Sequence, residues 1–118
     1  MKLFIKILIV LNFVFLITSC ATGNVIEENK VPLVNAGNDI SVSVGEEFNF
    51  DGVASDPDGV IISYEWDANG DGVYDTYCGG CAKDSYVFDK AGIYTARLKV
   101  TDDDGGVAFD EITIVVEE

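Results

Sequence analysis

Oxygen-bearing side chains recur at alternate positions in Asp67-Ala68-Asn69-Gly70-Asp71-Gly72-Val73-Tyr74-Asp75. Alternation about a glycine turn aims several carboxylate and amide oxygens at one point, and calcium takes about six to eight such ligands. Asp67, Asn69, Asp71 and Asp75 are therefore candidate calcium ligands. The twelfth position of the stretch is Cys78, where a helix-flanked calcium loop carries a bidentate Glu, and no helical period flanks it. The competing reading is a turn shaped by Gly, Asp and Asn alone. A second set of acids has the same ligand chemistry if the fold joins it: Asp56 and Asp58 in one segment, Asp102, Asp103 and Asp104 in another.

Cys78-Gly79-Gly80-Cys81 is the other motif with chemistry. In an exported chain a disulfide is the default, and two glycines make so tight a loop feasible. A reduced pair remains an alternative. A redox pair would need the motif to open a helix after a strand, and a zinc site would need two more soft ligands. The chain has no His, and its one other cysteine is Cys20. Tyr74 and Tyr77 lie close by and could stack on a sugar ring or anchor a protein, although isolated surface tyrosines are common. No catalytic set stands out. The serines lack a His partner, and nothing marks one carboxylate pair as split in pKa.

Charge narrows the partners. The 118 residues carry 21 acids against 7 basic residues, a net charge of −14. Phosphate binding needs Lys and Arg to displace counterions, so nucleic acid is excluded as a partner. Divalent cations are favoured instead.

Short strands must position these groups. Ile40, Val42 and Val44 alternate with Ser41 and Ser43; Phe48 and Phe50 flank Asn49; Ile62, Tyr64 and Trp66 alternate with Ser63 and Glu65. Tyr86 and Phe88 form a short run. Tyr94, Ala96, Leu98 and Val100 give the cleanest period of two, and Ile112, Ile114 and Val116 repeat it. Gly, Asp and Asn punctuate the runs. The pattern predicts an all-β, immunoglobulin-like β-sandwich of about seven strands over residues 32–118. Trp66, on the third strand, and Tyr94, after Gly92, stand where such sandwiches bury a tryptophan and place a tyrosine corner. In that architecture the loops carrying Asp56 and Asp58 and carrying Asp102, Asp103 and Asp104 share one end, and Asn35 is expected to approach it.

The first twenty residues differ from the rest. Lys2 and Lys6 precede an apolar run from Ile7 to Ile17, interrupted by Asn12. A run this short suits a signal peptide better than a spanning helix of roughly 20 residues. The segment ends Leu16-Ile17-Thr18-Ser19-Cys20 and resembles the bacterial lipobox, with Ile at −3 and Ser at −1 as accepted variants. The resemblance implies cleavage after residue 19 and acylation of Cys20, an anchor of several acyl chains. Loss of residues 1–19 leaves 5 basic residues against 21 acids, a charge of −16. Residues 20–31 read as the lipidated Cys and a flexible tether. Ala21, not Asp, follows the cysteine, and resemblance to enterobacterial sorting then implies an outer-membrane or surface location in the bacterial cell envelope, facing periplasm or exterior.

From Pro32 onward the ordered motifs resemble the PKD domain, first described in polycystic kidney disease protein. They are Val34-Asn35-Ala36-Gly37, Val44-Gly45-Glu46, Phe50-Asp51-Gly52, Ser55-Asp56-Pro57-Asp58-Gly59, Tyr64-Glu65-Trp66-Asp67, Asn69-Gly70-Asp71-Gly72, Ala91-Gly92-Ile93-Tyr94, Leu98-Lys99-Val100-Thr101-Asp102-Asp103-Asp104-Gly105 and Ile112-Thr113-Ile114. Cys78 to Cys81 departs from the family pattern. The resemblance implies a non-catalytic spacer, adhesion or substrate-binding module. It also implies calcium at the end bearing Asp56 and Asp103, as in some collagenase PKD domains. The expected function is a non-enzymatic envelope lipoprotein that presents the domain to a protein or polysaccharide. The alternatives are a structural or accessory subunit of an envelope complex and a calcium-dependent stability module.

Overall fold

The computed structural model describes residues 25–118; the expected export segment, residues 1–19, and Cys20 lie outside the described residues. Among the described residues there are nine strands: β1 Leu33–Asn35, β2 Ile40–Ser43, β3 Glu47–Asp51, β4 Val53–Ser55, β5 Ile61–Asp67, β6 Thr76–Cys78, β7 Lys83–Val87, β8 Gly92–Asp102 and β9 Val107–Glu117. The alternating runs all lie on strands or at their ends. The three strands outside the six alternating runs, β1, β4 and β6, hold three residues each, too few to show a period, and bring the number from about seven expected to nine.

Five strands form the main sheet, in the order β2-β9-β8-β5-β6. All its pairings are antiparallel except β2 on β9, which is parallel. Two small antiparallel sheets, β1-β4 and β3-β7, supply the rest. Strands β3 and β4 are one stretch of chain broken at Gly52, whose N–H donates to Ala82 O at 3.2 Å. A Cβ at Gly52 would run into Leu98 and Trp66, so the backbone itself packs on the main sheet there.

The core follows from the period-two pattern. Trp66, Leu98, Val100, Ile112, Ile114 and Val116 point inward from the main sheet and meet Phe50 and Phe88. The Phe50 and Trp66 rings stack at 4.4 Å. Trp66 is 2% exposed, and its Nε1–H donates to Ala82 O at 2.9 Å. A buried indole N–H left without an acceptor would be costly, so this bond fixes which way the ring lies. Tyr94 donates its hydroxyl to Lys90 O at 2.8 Å, four residues upstream, which is the tyrosine corner.

Candidate functional site

Among the described residues one acid cluster is assembled. Asp56, Asp102 and Asp103 bring carboxylate oxygens within 4.8 Å of one another. Asp56 follows β4, while Asp102 ends β8 and Asp103 opens the turn into β9. The two loops are tied together by Asp103 N–H donating to Val60 O at 3.0 Å and Val60 N–H donating to Asp103 Oδ1 at 3.1 Å.

Asp102 is fully buried. Its Oδ1 accepts the amides of Asp104 (2.9 Å) and Gly106 (2.7 Å), and its Oδ2 accepts Asn29 Nδ2–H at 2.9 Å. Burial alone pushes its carboxyl up, but the bonds from Asn29 and the turn amides outweigh burial and hold it below the ordinary carboxylate value. Asp56 goes the other way. Desolvation, and then the neighbouring Asp58 and Asp102 charges, raise it above the ordinary value against one backbone hydrogen bond from Asp58.

Two oxygens in this neighbourhood, Asn29 Oδ1 and Asp56 Oδ2, are buried and accept no hydrogen bond. Two glycines make the room. A side chain at Gly59 would collide with Asp103 Oδ1 and Asp56 Oδ2, and one at Gly106 with Asp102 Oδ2 and Asn29 Nδ2. Hard oxygens, two unpaired lone-pair sets and packed negative charge fit a calcium ion.

The other expected ligands fall differently. Asp58 borders the cluster and accepts Lys30 N–H at 2.9 Å, while Asp104 is exposed. Asn35 does not join. Its Oδ1 accepts Gly37 N–H, and its pairing with Val53 sets it two positions, roughly 7 Å, along the ladder from Ser55, which leads into Asp56. The residue that reaches the acids is Asn29, six positions earlier in a stretch read as tether. Its docking had no signal in period or composition; only the polar side chain ahead of Pro32 could have hinted at it.

The glycine-rich loop after β5 is not a second cluster. Asp67 is buried, and its two oxygens accept the amides of Gly70, Asp71 and Gly72. Asp75 accepts Ala68 N–H, Asn69 accepts Asp71 N–H, and Asp71 accepts Val73 N–H. The acids hold the turn's own donors, so the turn reading prevails there.

Cys78 and Cys81 are joined in a disulfide that closes the loop after β6. Ala82 O, the acceptor for Trp66 and Gly52, follows directly. Tyr74 is half-buried against Lys99, and Tyr77 is exposed. No helix among the described residues is long and apolar enough to cross a membrane.

A profile of the PKD domain matches residues 29–116, which begins at Asn29. The chain belongs to the PKD family. It is 41% identical over 98 residues to collagenase ColA of Clostridium perfringens, covering 82% of this chain and 8% of the collagenase. The PKD chain thus spans under a tenth of that relative. The PKD1 domain of Vibrio anguillarum Epp superposes with a TM-score of 0.59 at 32% identity, over 76% of this chain and 98% of that one. A structure from work on carbohydrate-binding modules of the β-sandwich superfamily superposes at 0.65 with 27% identity, over 78% of this chain and 36% of that one.

Proposed function

We propose that the chain is a non-enzymatic envelope lipoprotein, acylated at Cys20, whose PKD domain is fixed on its tether by calcium and offered to a protein or polysaccharide. The observation that carries this reading is the root of the domain. Asn29, nine residues from Cys20, is bonded to Asp102, and its free Oδ1 lies buried beside an acid cluster with the ligand chemistry for a cation. Asn29, Asp56, Asp102 and Asp103 would hold the ion. When bound, calcium would neutralise the carboxylates and tie the tether, the β4–β5 loop and the β8–β9 turn into one unit. The chain from Asn29 onward then moves with the domain, which suits presentation more than turnover. The kinship with a domain of a collagenase and with carbohydrate-binding modules supports a polymer or its associated protein as partner.

The test is cross-linking capture from intact envelopes carrying the full chain, in calcium and in chelator. External polymer or protein recovered in calcium supports presentation. One stoichiometric envelope protein, recovered in both conditions, would make the chain an accessory subunit. A hydrolase activity that copurifies with the folded domain would overturn the non-enzymatic reading.

A further inference from the structure

The main sheet covers the core with one face and turns the other to solvent, and strand register fixes one row across that outer face. Tyr77 on β6 pairs with Glu65 on β5, Glu65 with Lys99 on β8, and Lys99 with Phe109 on β9. Paired residues point to the same side, and this row alternates with the inward Trp66 and Leu98. Tyr77 and Phe109 are three strands' spacing apart, about 14 Å. Between them, the Tyr74 ring lies against Lys99, with Nζ 5.2 Å from its centre. Arg97, in the adjacent outer row, sits 4.7 Å from the centre of the Phe109 ring.

Neither terminal ring serves the core, because Tyr77 is 71% exposed and Phe109 48%. The cations that brace the rings are themselves neutralised. Lys99 Nζ lies 2.8 Å from Glu65, and Arg97 Nε lies 3.0 Å from Glu111. On a chain of net charge −14, this is a locally balanced strip in which cations brace the Tyr74 and Phe109 rings and Tyr77 stands exposed. A protein partner would favour an interface centre depleted of charge, and would have to desolvate both ion pairs. A sugar chain brings apolar ring faces for the aromatics and hydroxyls that keep the ionic groups hydrogen-bonded. An acidic polymer would find no free cation here.

We infer that the row Tyr77–Glu65–Lys99–Phe109, with Tyr74 and Arg97, is a platform for an extended, uncharged polysaccharide lying across the strands. This rests on the reading of the chain as a presenting module and names the class of its partner. Tyr74 and Tyr77 stand out in the sequence; Phe109 joins them only through register.

The full chain, extracted in mild detergent, is mixed with insoluble chitin and with cellulose, and the bound fraction is titrated. Binding to at least one is expected. Tyr77→Ala and Phe109→Ala should each weaken it about tenfold or more, as for interface anchors. Their melting temperatures should stay near wild type, since both rings are exposed. Leu33→Ala, on the small β1-β4 sheet, should leave binding unchanged. Full binding by the Tyr77→Ala/Phe109→Ala double variant would place the glycan elsewhere and overturn the platform. Binding to neither polysaccharide also overturns it. If intact envelopes still yield an external protein in calcium, the module reading stands without the platform; if they yield nothing, or one stoichiometric envelope protein with and without calcium, both fall.

Discussion

Single side chains divide here into those that hold the fold and those left with bonding capacity to spare. Trp66 is of the first kind. Trp66→Ala removes the stacked partner of Phe50 and leaves the Ala82 carbonyl with the Gly52 N–H alone. A loss of about 3–5 kcal/mol is expected by denaturant unfolding, a large share of a small domain's stability. Asp67 is also of the first kind, although its spacing suggests a ligand. Sequence spacing reports which oxygens could converge, not which amides will claim them first. Three backbone donors from its own loop claim Asp67. Asp56 and Asn29 are of the second kind, and their spare oxygens become visible only when the loops close around them. The cysteine pair was legible from its spacing and from the export that the first twenty residues lead one to expect. Thiol counting on unfolded, exported protein is expected to find Cys78 and Cys81 unreactive, with only a modest stability loss on reduction, because the loop they close is short.

Among elements, strands long enough to alternate were readable and the three-residue ones were not. A period of two needs several repeats, and β1, β4 and β6 owe their existence to partners elsewhere in the chain. The same limit hid the tether's docking, which depends on a contact 73 residues distant in sequence. The loops at that end carry opposing pH dependences in chelator. Asp102 is held below its ordinary value of 3.8, so its ionised form stabilises the fold above that pH, and the contribution is lost as pH falls through the depressed value. Asp56 is raised, so its contribution is present below 3.8 and lost as pH rises through the folded value. In chelator near neutral pH, Asp56→Asn should therefore raise the melting temperature while Asp102→Asn lowers it. In calcium, Asp56→Asn should instead fall below wild type. Melting curves for the three proteins with and without chelator decide this; equal effects of calcium on wild type and Asp56→Asn would remove Asp56 from the site.

At the scale of the whole molecule, the proposed anchor at Cys20 is nine positions in sequence from Asn29, which is bonded to Asp102 at the proposed cation site. Cys20→Ser is expected to stop palmitate incorporation and shift the protein to soluble fractions, or leave it unprocessed; a wild-type chain that never takes up labelled palmitate would refute the anchor. The cation site is tested most directly by thermal unfolding of the full chain against calcium at matched ionic strength. Extracellular calcium sites bind near the millimolar range, and a free concentration of 100 times the dissociation constant adds about 2.7 kcal/mol. For a domain of this size each kcal/mol moves the midpoint by roughly 4–8 °C. Wild type should therefore rise by on the order of 10 °C in saturating calcium, less in magnesium, and return in chelator. Asp71→Ala should keep the shift, while Asp103→Ala and Asn29→Ala should lose most of it. A wild-type midpoint that calcium does not move would contradict the clamp and leave Asp56, Asp102 and Asp103 as solvated turn acids.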